Sequence, residues 1–225
     1  PARSGSKSIK DKNLQEVGGL SLLERAIQIS RGSGLFDSVI VLTDSLQYAA
    51  ISKAAGAVVP YLRSAATSGD TATDLDVFQE MISKLQLDES CSLAHIRPTT
   101  PLRRDEVMKA AWEEFREKRG QFSSMRSVHE MSESAYKTFE RSVDGALVAI
   151  AGQNLDRQNL PRQFFPKTFI ANGYIDLFEV RQVNTGSLHG ESILGFETEP
   201  VLEVDSAHDL ELIRCQARSM EGHFE

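Results

Sequence analysis

Residues 1 to 14, Pro-Ala-Arg-Ser-Gly-Ser-Lys-Ser-Ile-Lys-Asp-Lys-Asn-Leu, set cations among small side chains in a pattern that suits an anion better than a core. Ala2, Ser4, Gly5 and Ser6 leave room for backbone N–H groups to approach a phosphate, while Arg3, Lys7 and Lys12 supply charge. The spacing is neither that of a Walker loop nor that of the dinucleotide fingerprint. Taken alone, such a basic run also reads as a solvated terminus. A second candidate lies near the other end. Glu203 and Asp205, two apart in an extended segment, project to the same side, so one hard cation could bridge both carboxylates to a phosphate. The same acids, just ahead of Ser206, would also complement a helix dipole.

Other chemistries find less support. His95, His129, His189 and His208 lie in different elements without metal-ligand spacing, and serines and cysteines lack a nucleophile-elbow context. A net charge of −7 argues against nucleic acid as partner. Cys91 and Cys215, far apart, suit free thiols in a reducing compartment. With no apolar stretch near about 18 residues and no signal peptide, neither a membrane nor export is expected, and the expected location is cytoplasmic.

The elements that must position these groups alternate. Helical spacing from Leu20 to Ile29 ends at Arg31-Gly32-Ser33-Gly34; Ser38–Thr43 reads as a buried strand, Leu46–Ala55 as helix, and Ala57–Leu62 as a second strand leading to Arg63 and a polar loop, Ser64–Asp70. Thr73 to Asp76 resembles a capping box opening the next helix. Leu93–Ile96 is a strand ending at Arg97-Pro-Thr-Thr-Pro-Leu-Arg-Arg104, whose prolines forbid regular structure before a helix over Asp105–Lys118. Repeated strand, loop and helix predict an α/β fold, a Rossmann-like mixed, mainly parallel sheet flanked by helices, with ligands at the carboxyl ends of the strands. The opening cradle, Arg63 and the Arg97 loop all fall there. In such a unit a strand precedes the phosphate loop, and a strand ahead of Pro1, not included in this sequence, is expected. From about Glu130 to Ala171 the pattern breaks into a polar, aromatic and basic segment that reads as an arm. Regularity returns with Asn172–Glu179 and with Val201–Asp205, which leads into a closing helix. The expected organisation is a nucleotide-binding core over 1–129, an arm over 130–171 and the remainder of the core over 172–225.

In order, these stretches resemble the CMP-sialic acid synthetases and their bacterial relatives for legionaminic-type sugars. The match runs nearly end to end: an ARxGSKxIxxKN-like start at Ala2–Asn13, a QPTSPLR-like loop at Arg97–Arg103, an NGxxYI-like strand at Asn172–Leu177 and an acidic end at Glu203–Leu210. The resemblance implies CTP and a nine-carbon α-keto sugar acid as substrates, Mg²⁺ or Mn²⁺, and a homodimer. It places Arg3, Ser6, Lys7, Lys12 and Asn13 on the nucleotide and its triphosphate, and Arg63, Ala72 and Asp74 at base-recognition positions. Arg97 falls near both nucleotide and sugar, and Thr99 and Asn172 near the sugar. Lys137 and Arg162 match arm residues that reach the partner's site, and Glu203 and Asp205 fall on the metal-binding pair. Asp74 stands where many members have Ser, Arg97 where many have Gln, and Ile170 replaces a frequent arginine.

The implied reaction joins the anomeric hydroxyl to the α-phosphorus of CTP and expels pyrophosphate, so charge builds on phosphate oxygens. Arg3, Lys7 and Lys12 are donors ready for it, with Lys12 favoured at the leaving group. An arm rich in Phe164, Phe165 and Phe169 cannot bury them alone, which predicts a symmetric partner. Two other readings remain open: a synthetase for another keto-sugar, such as the octulosonate of lipopolysaccharide, and a non-catalytic nucleotide- or sugar-binding module.

Overall fold

The computed structural model describes residues 1–150, 152 and 155–221. A two-residue hairpin, β1 (Glu16–Val17) and β2 (Leu20–Ser21), runs into α1 (Leu22–Gly32), which opens on a reciprocal cap between Ser21 and Glu24. The Ser45 hydroxyl caps α2 (Leu46–Ala54). One helical turn, α3 (Ala65–Ser68), lies inside the stretch expected to be a polar loop; Glu80 anchors it by accepting from the Ser64 N–H at 3.1 Å and from the Thr67 hydroxyl. The Thr73–Asp76 box opens α4 (Asp74–Leu85), as its spacing predicts. There follow β3 (Ser92–His95), α5 (Asp105–Glu117), β4 (Ser124–Glu130), the small hairpin β5 (Phe139–Arg141) and β6 (Leu147–Ala149), then β7 (Phe169–Glu179), α6 (Val180–Asn184), β8 (Ile193–Glu197) and α7 (Ala207–Glu221).

A four-stranded sheet has the order β3-β7-β4-β8. It is mixed, but the expectation of a mainly parallel sheet needs correction: β7 is antiparallel to both β3 and β4, and only β4 with β8 is parallel. The chain leaves β4, travels out and back, and returns beside β4 in the opposite sense, which only antiparallel pairing accommodates. Residues 38–43 also differ from the expected continuous strand. They pair in parallel with 57–62 through bridges at Ile40–Val58 and Thr43–Leu62 and through the Val41 N–H to Val58 carbonyl bond of 2.9 Å. Pro60, lacking an N–H, interrupts the ladder. Val201–Asp205, expected to be regular, is irregular chain held by the Val204 N–H to Thr99 carbonyl bond of 2.8 Å.

Helices cover both faces. Leu23 and Ile27 of α1 pack on Val41, whereas Phe78 and Met81 of α4 pack on Leu42 and Phe178. Met108 and Phe115 of α5 lie on Met125 and Ile175. Ile213 and Leu210 of α7 bury Val204 completely, which pins the acidic segment from below. Between Glu130 and Phe169 the chain projects from the sheet with the β5–β6 hairpin at its centre. Residues 151, 153 and 154 of the expected arm, and 222–225 of the expected last segment, lie outside the described residues. Among the described residues no helix is long and apolar enough to cross a membrane.

Candidate active site

The opening loop is tied down from several directions. Asp44, just past the end of segment 38–43, accepts from the Ser4 N–H at 2.9 Å and the Ser4 hydroxyl at 3.0 Å. Asn13 donates to the Arg3 carbonyl at 3.1 Å, closing the loop on itself, and the Ser6 N–H turns back on the Ser4 carbonyl at 3.0 Å. A Cβ added to Gly5 would meet nothing within 4 Å, so the space above the loop is open to a ligand. Arg3 and Lys7 converge on one carboxylate, Asp70, at 2.8 and 2.6 Å. Hydrogen bonds from Lys7, then Arg3, hold that carboxyl below its ordinary range. Asp70 thus neutralises both cations of the loop at one point. Ala72 closes the turn after it, its N–H on the Gly69 carbonyl at 3.3 Å.

Lys12 links the two ends of the sequence. Its ammonium donates to the Val204 carbonyl at 2.9 Å and lies 3.5 Å from the Asp205 carboxylate. Asp205 is mostly exposed, while Glu203 is half-buried. Burial first, and Asp205 second, push the Glu203 carboxyl above its ordinary value. Two acids that repel one another, one of them mostly exposed, form a donor set that suits Mg²⁺, which takes one or two carboxylates plus substrate phosphate oxygens. Among the described residues no group of three or more such ligands exists.

A brace that the sequence did not reveal holds this region together. Arg103 is buried, and its guanidinium donates to the carbonyls of Tyr174 at 2.6 Å, Arg97 and Gly173 at 2.7 Å each, and Thr100. Burial pushes Arg103 down to about 9. One side chain therefore joins the proline loop to β7 beside Glu203. Gly173, at φ +61°, allows the contact: a Cβ there would lie 3.0 Å from Glu203 Oε2.

A charged cluster lies deeper. Arg97 bonds Asp176, which is fully buried, at 2.7 Å and Asp74 at 3.3 Å, and Arg126 lies 3.5 Å from Asp176. Burial works against the Arg97 charge, but Asp176 and then Asp74 outweigh it and raise its pKa. His95, buried edge-on against Phe78, is held well below its ordinary value by burial and then by Arg97, so it is neutral; its Nδ1 is 3.8 Å from Asp74. Arg63 is buried, its N–H on the Thr43 carbonyl at 2.8 Å, and burial lowers its pKa while Asp44 counters. Asp176 was not anticipated, although an aspartate inside the apolar run Tyr174–Phe178 is a visible anomaly.

Direct contacts thus join Arg3 and Lys7 through Asp70 and Arg3 with Asn13, and separately join Lys12 with Asp205 and, through Val204, with Thr99; Arg97 and Asp74 form a further linked group, and Glu203 is placed by its chain neighbours beside Gly173. The arm residues have partners in the arm. Arg162 pairs with Glu130 and bonds the Met131 carbonyl at 3.2 Å; Lys137 lies 3.5 Å from Glu133 and over the Phe165 ring. Asn172 is buried and donates to the Thr198 hydroxyl at 2.7 Å, with His129 Nδ1 at 3.3 Å. Cys91 and Cys215 are free thiols.

Comparison with known proteins gives concordant results. A family model described as cytidylyltransferase matches residues 1–146. The chain is 32% identical over 127 residues to the pseudaminic acid cytidylyltransferase of Campylobacter jejuni, covering 54% of this chain and 53% of that protein. It is 32% identical over 115 residues to the CMP-N,N'-diacetyllegionaminic acid synthase of Legionella pneumophila, covering 50% of each. The chain spans about half the length of these curated relatives. Among solved structures, a CMP:2-keto-3-deoxy-manno-octonic acid synthetase complexed with CTP superposes with a TM-score of 0.72 at 16% identity, covering 98% of this chain and 97% of that one. This last likeness is one of fold.

Proposed function

The chain belongs to the cytidylyltransferase family, and from that premise we propose that it activates a nine-carbon α-keto sugar acid of sialic or legionaminic type with CTP, giving the CMP-sugar and pyrophosphate. The observation that carries this reading is Lys12, whose contacts with Val204 and Asp205 bring a phosphate-binding loop and an acidic pair to one face. In this reading the anomeric oxygen attacks the α-phosphorus, the bond to the β-phosphate oxygen breaks, and pyrophosphate leaves. Arg3 and Lys7 exchange Asp70 for the triphosphate, and Lys12 stabilises the leaving oxygens. Glu203 and Asp205 would hold Mg²⁺ or Mn²⁺, which when bound draws charge from phosphate oxygens and acidifies the attacking hydroxyl. Either acid can take that proton. Arg63, Ala72 and Asp74 read the base, and Arg97, Thr99 and Asn172 border the sugar.

The segment 130–171 acts as a dimerisation arm in this proposal, between a core of 1–129 and 172–225. Support comes from its exposed apolar side chains, among them Val143, Leu147, Val148, Phe164, Phe169 and Ile170, which a partner would cover, whereas Phe165, expected to need a partner, is already buried within the chain under Lys137. Lys137 and Arg162 would then leave their arm partners to meet the partner's substrate. The test is a pyrophosphate-release screen crossing four nucleoside triphosphates with nine-carbon and eight-carbon sugar acids, run beside Asp205→Asn. CTP with a nine-carbon acid is the expected pair. The variant should lose about 10²-fold or more in rate with its Tm retained. Release with every triphosphate alike, or full activity in the variant, would overturn the reading.

A further inference from the structure

A polar row crosses the sheet where its neighbours are apolar. His95 of β3 lies opposite Asp176 of β7, and Asp176 lies opposite Arg126 of β4. Above the row runs α4, whose Asp74 and Phe78, four apart, share one face; Phe78 packs edge-on against the His95 ring. Arg97, just beyond β3, ties the row to the helix with its two terminal nitrogens, Nη1 on Asp176 at 2.7 Å and Nη2 on Asp74 at 3.3 Å. The two bonds are unequal. Asp176 is fully buried, whereas the Asp74 side chain is 42% exposed, so the longer contact is also the one that water weakens.

His95 is the anomaly in this cluster. It is 2% exposed, yet its Nδ1 has no hydrogen-bond partner, a state that buried polar atoms rarely keep because it is costly. Burial and then Arg97 hold the imidazole neutral, so one ring nitrogen carries a proton to donate. Asp74 Oδ2 lies 3.8 Å from Nδ1, and it is the same oxygen that Arg97 holds. About 1 Å separates the two atoms from a hydrogen bond.

We infer that Asp74 is a movable counter-ion: the carboxylate of the sugar acid takes Arg97 Nη2 from it, and Asp74 turns onto the Nδ1–H of His95. The inference rests on the proposed function for its substrate. Of the two anions in that reaction, the triphosphate meets Arg3, Lys7 and Lys12, and the carboxylate calls for a guanidinium within reach of the acidic pair. Arg97 acts on Glu203, and its side chain is 23% exposed while Asp176 keeps its other branch in place. Two carboxylates on one Nη2 repel each other, so Asp74 has to give way. It loses little by doing so, because the start of α4 favours its charge and His95 supplies the missing donor. In the engaged state Arg97 still holds two carboxylates, and the unpartnered Nδ1 is satisfied. His95 is thus a positioning residue, acting on the substrate through Asp74 and Arg97.

The experiment follows the imidazole N–H signals of the isotope-labelled 225-residue chain by NMR, with His95→Phe supplying the assignment. The probes are a CTP analogue carrying a methylene at the α,β-bridge, and that analogue together with N-acetylneuraminic acid or with its carboxamide. The acid is expected to move the His95 Nδ1–H proton downfield and to slow its exchange with water about tenfold or more, whereas the analogue alone and the carboxamide leave it in place. Arg97→Met is expected to show the same downfield proton without any substrate, since Asp74 has then lost its cation. In pyrophosphate release, His95→Phe should raise the KM for the acid about tenfold, with kcat and the KM for CTP little changed. His95→Asn, whose amide can place an N–H where Nδ1 stands, should restore most of that loss. A proton unmoved by the acid, moved by the nucleotide analogue alone, moved equally by the carboxamide, or unmoved in Arg97→Met would overturn the exchange, as would an unchanged KM in His95→Phe. Pyrophosphate release by the parent chain reads the proposed function by itself, and the Arg97→Met spectrum needs no substrate, so each can fail without the other.

Discussion

Replacing Gly173 by alanine separates two costs that the structure sets side by side. Gly173 lies at φ +61°, in the left-handed region, where a residue with a Cβ costs about 1–2 kcal/mol. For a chain of this size that loss lowers Tm by about 2–8 °C. The second cost falls on the site. The new Cβ would stand 3.0 Å from Glu203 Oε2 and 3.1 Å from Thr100 Oγ1, closer than ordinary van der Waals contact. Arg103 grips the Gly173 carbonyl, so the backbone gives little and the Glu203 carboxylate must move instead. Disturbing a group that orients a metal ligand typically costs about 10-fold in metal affinity or more. Gly173→Ala is therefore expected to raise the Mg²⁺ concentration for half-maximal pyrophosphate release about 10-fold, with Glu203→Gln as reference. A lowered Tm with an unchanged Mg²⁺ requirement would refute the placement of Glu203 at the metal; an unchanged Tm would refute the backbone argument.

Three further expectations can be checked. Because Glu203 is raised above its ordinary 4.5, the folded chain binds more protons than the unfolded one from that pH up to the raised value, so stability falls as pH rises through that window. Measured in chelator, the Tm of Glu203→Gln should gain on that of the parent as pH climbs from 4.5, and a gap constant from acid to neutral pH would contradict this. Arg97→Met removes the nearest cation from buried Asp176 and should cost about 3 kcal/mol in chemical denaturation, with a loss below about 1 kcal/mol showing that Arg126 suffices. Asp70→Asn frees Arg3 and Lys7 from their internal carboxylate and should lower the KM for CTP with little change in kcat; an unchanged or raised KM would remove Asp70 from the triphosphate position.

What the sequence showed and what it hid divide by range of interaction. The Thr73 cap and the amphipathic stripes of α1, α4 and α5 depend on neighbours three or four residues away, and they were legible. β4 was not, because its buried positions include Ser124 and Ser127, which satisfy themselves on His189 and on the Ile175 N–H and leave no apolar run. β8 was hidden by its glycine and its shortness. The direction of β7 could not be read locally, since it depends on where the arm returns the chain. Val201–Asp205 was expected to be regular, yet its side chains divide between two clusters, Val201 against α5 and the sheet and Val204 against Val17, Leu22 and α7, and no strand pairs with it.

The candidate site follows the same division, and this explains which of its residues are visible. Arg3, Lys7 and Lys12 share one loop, so their clustered charge shows in the sequence. Arg97, Asp74 and Asp176 come from three elements, and only the fold makes them one charged cluster. Arg103 looked like one of two arginines ending a proline loop. In the structure it donates to four carbonyls, of which that of Arg97 also accepts the Thr100 N–H, and a bond of that kind left unmade when buried costs about 1–3 kcal/mol. Its positive charge also acts on Glu203 and works against the rise that burial causes in that carboxyl. Each acid of the pair thus has a cation in its surroundings, Arg103 and Arg97 acting on Glu203 and Lys12 lying 3.5 Å from Asp205, and under the proposed function a divalent ion would have to share both carboxylates with them.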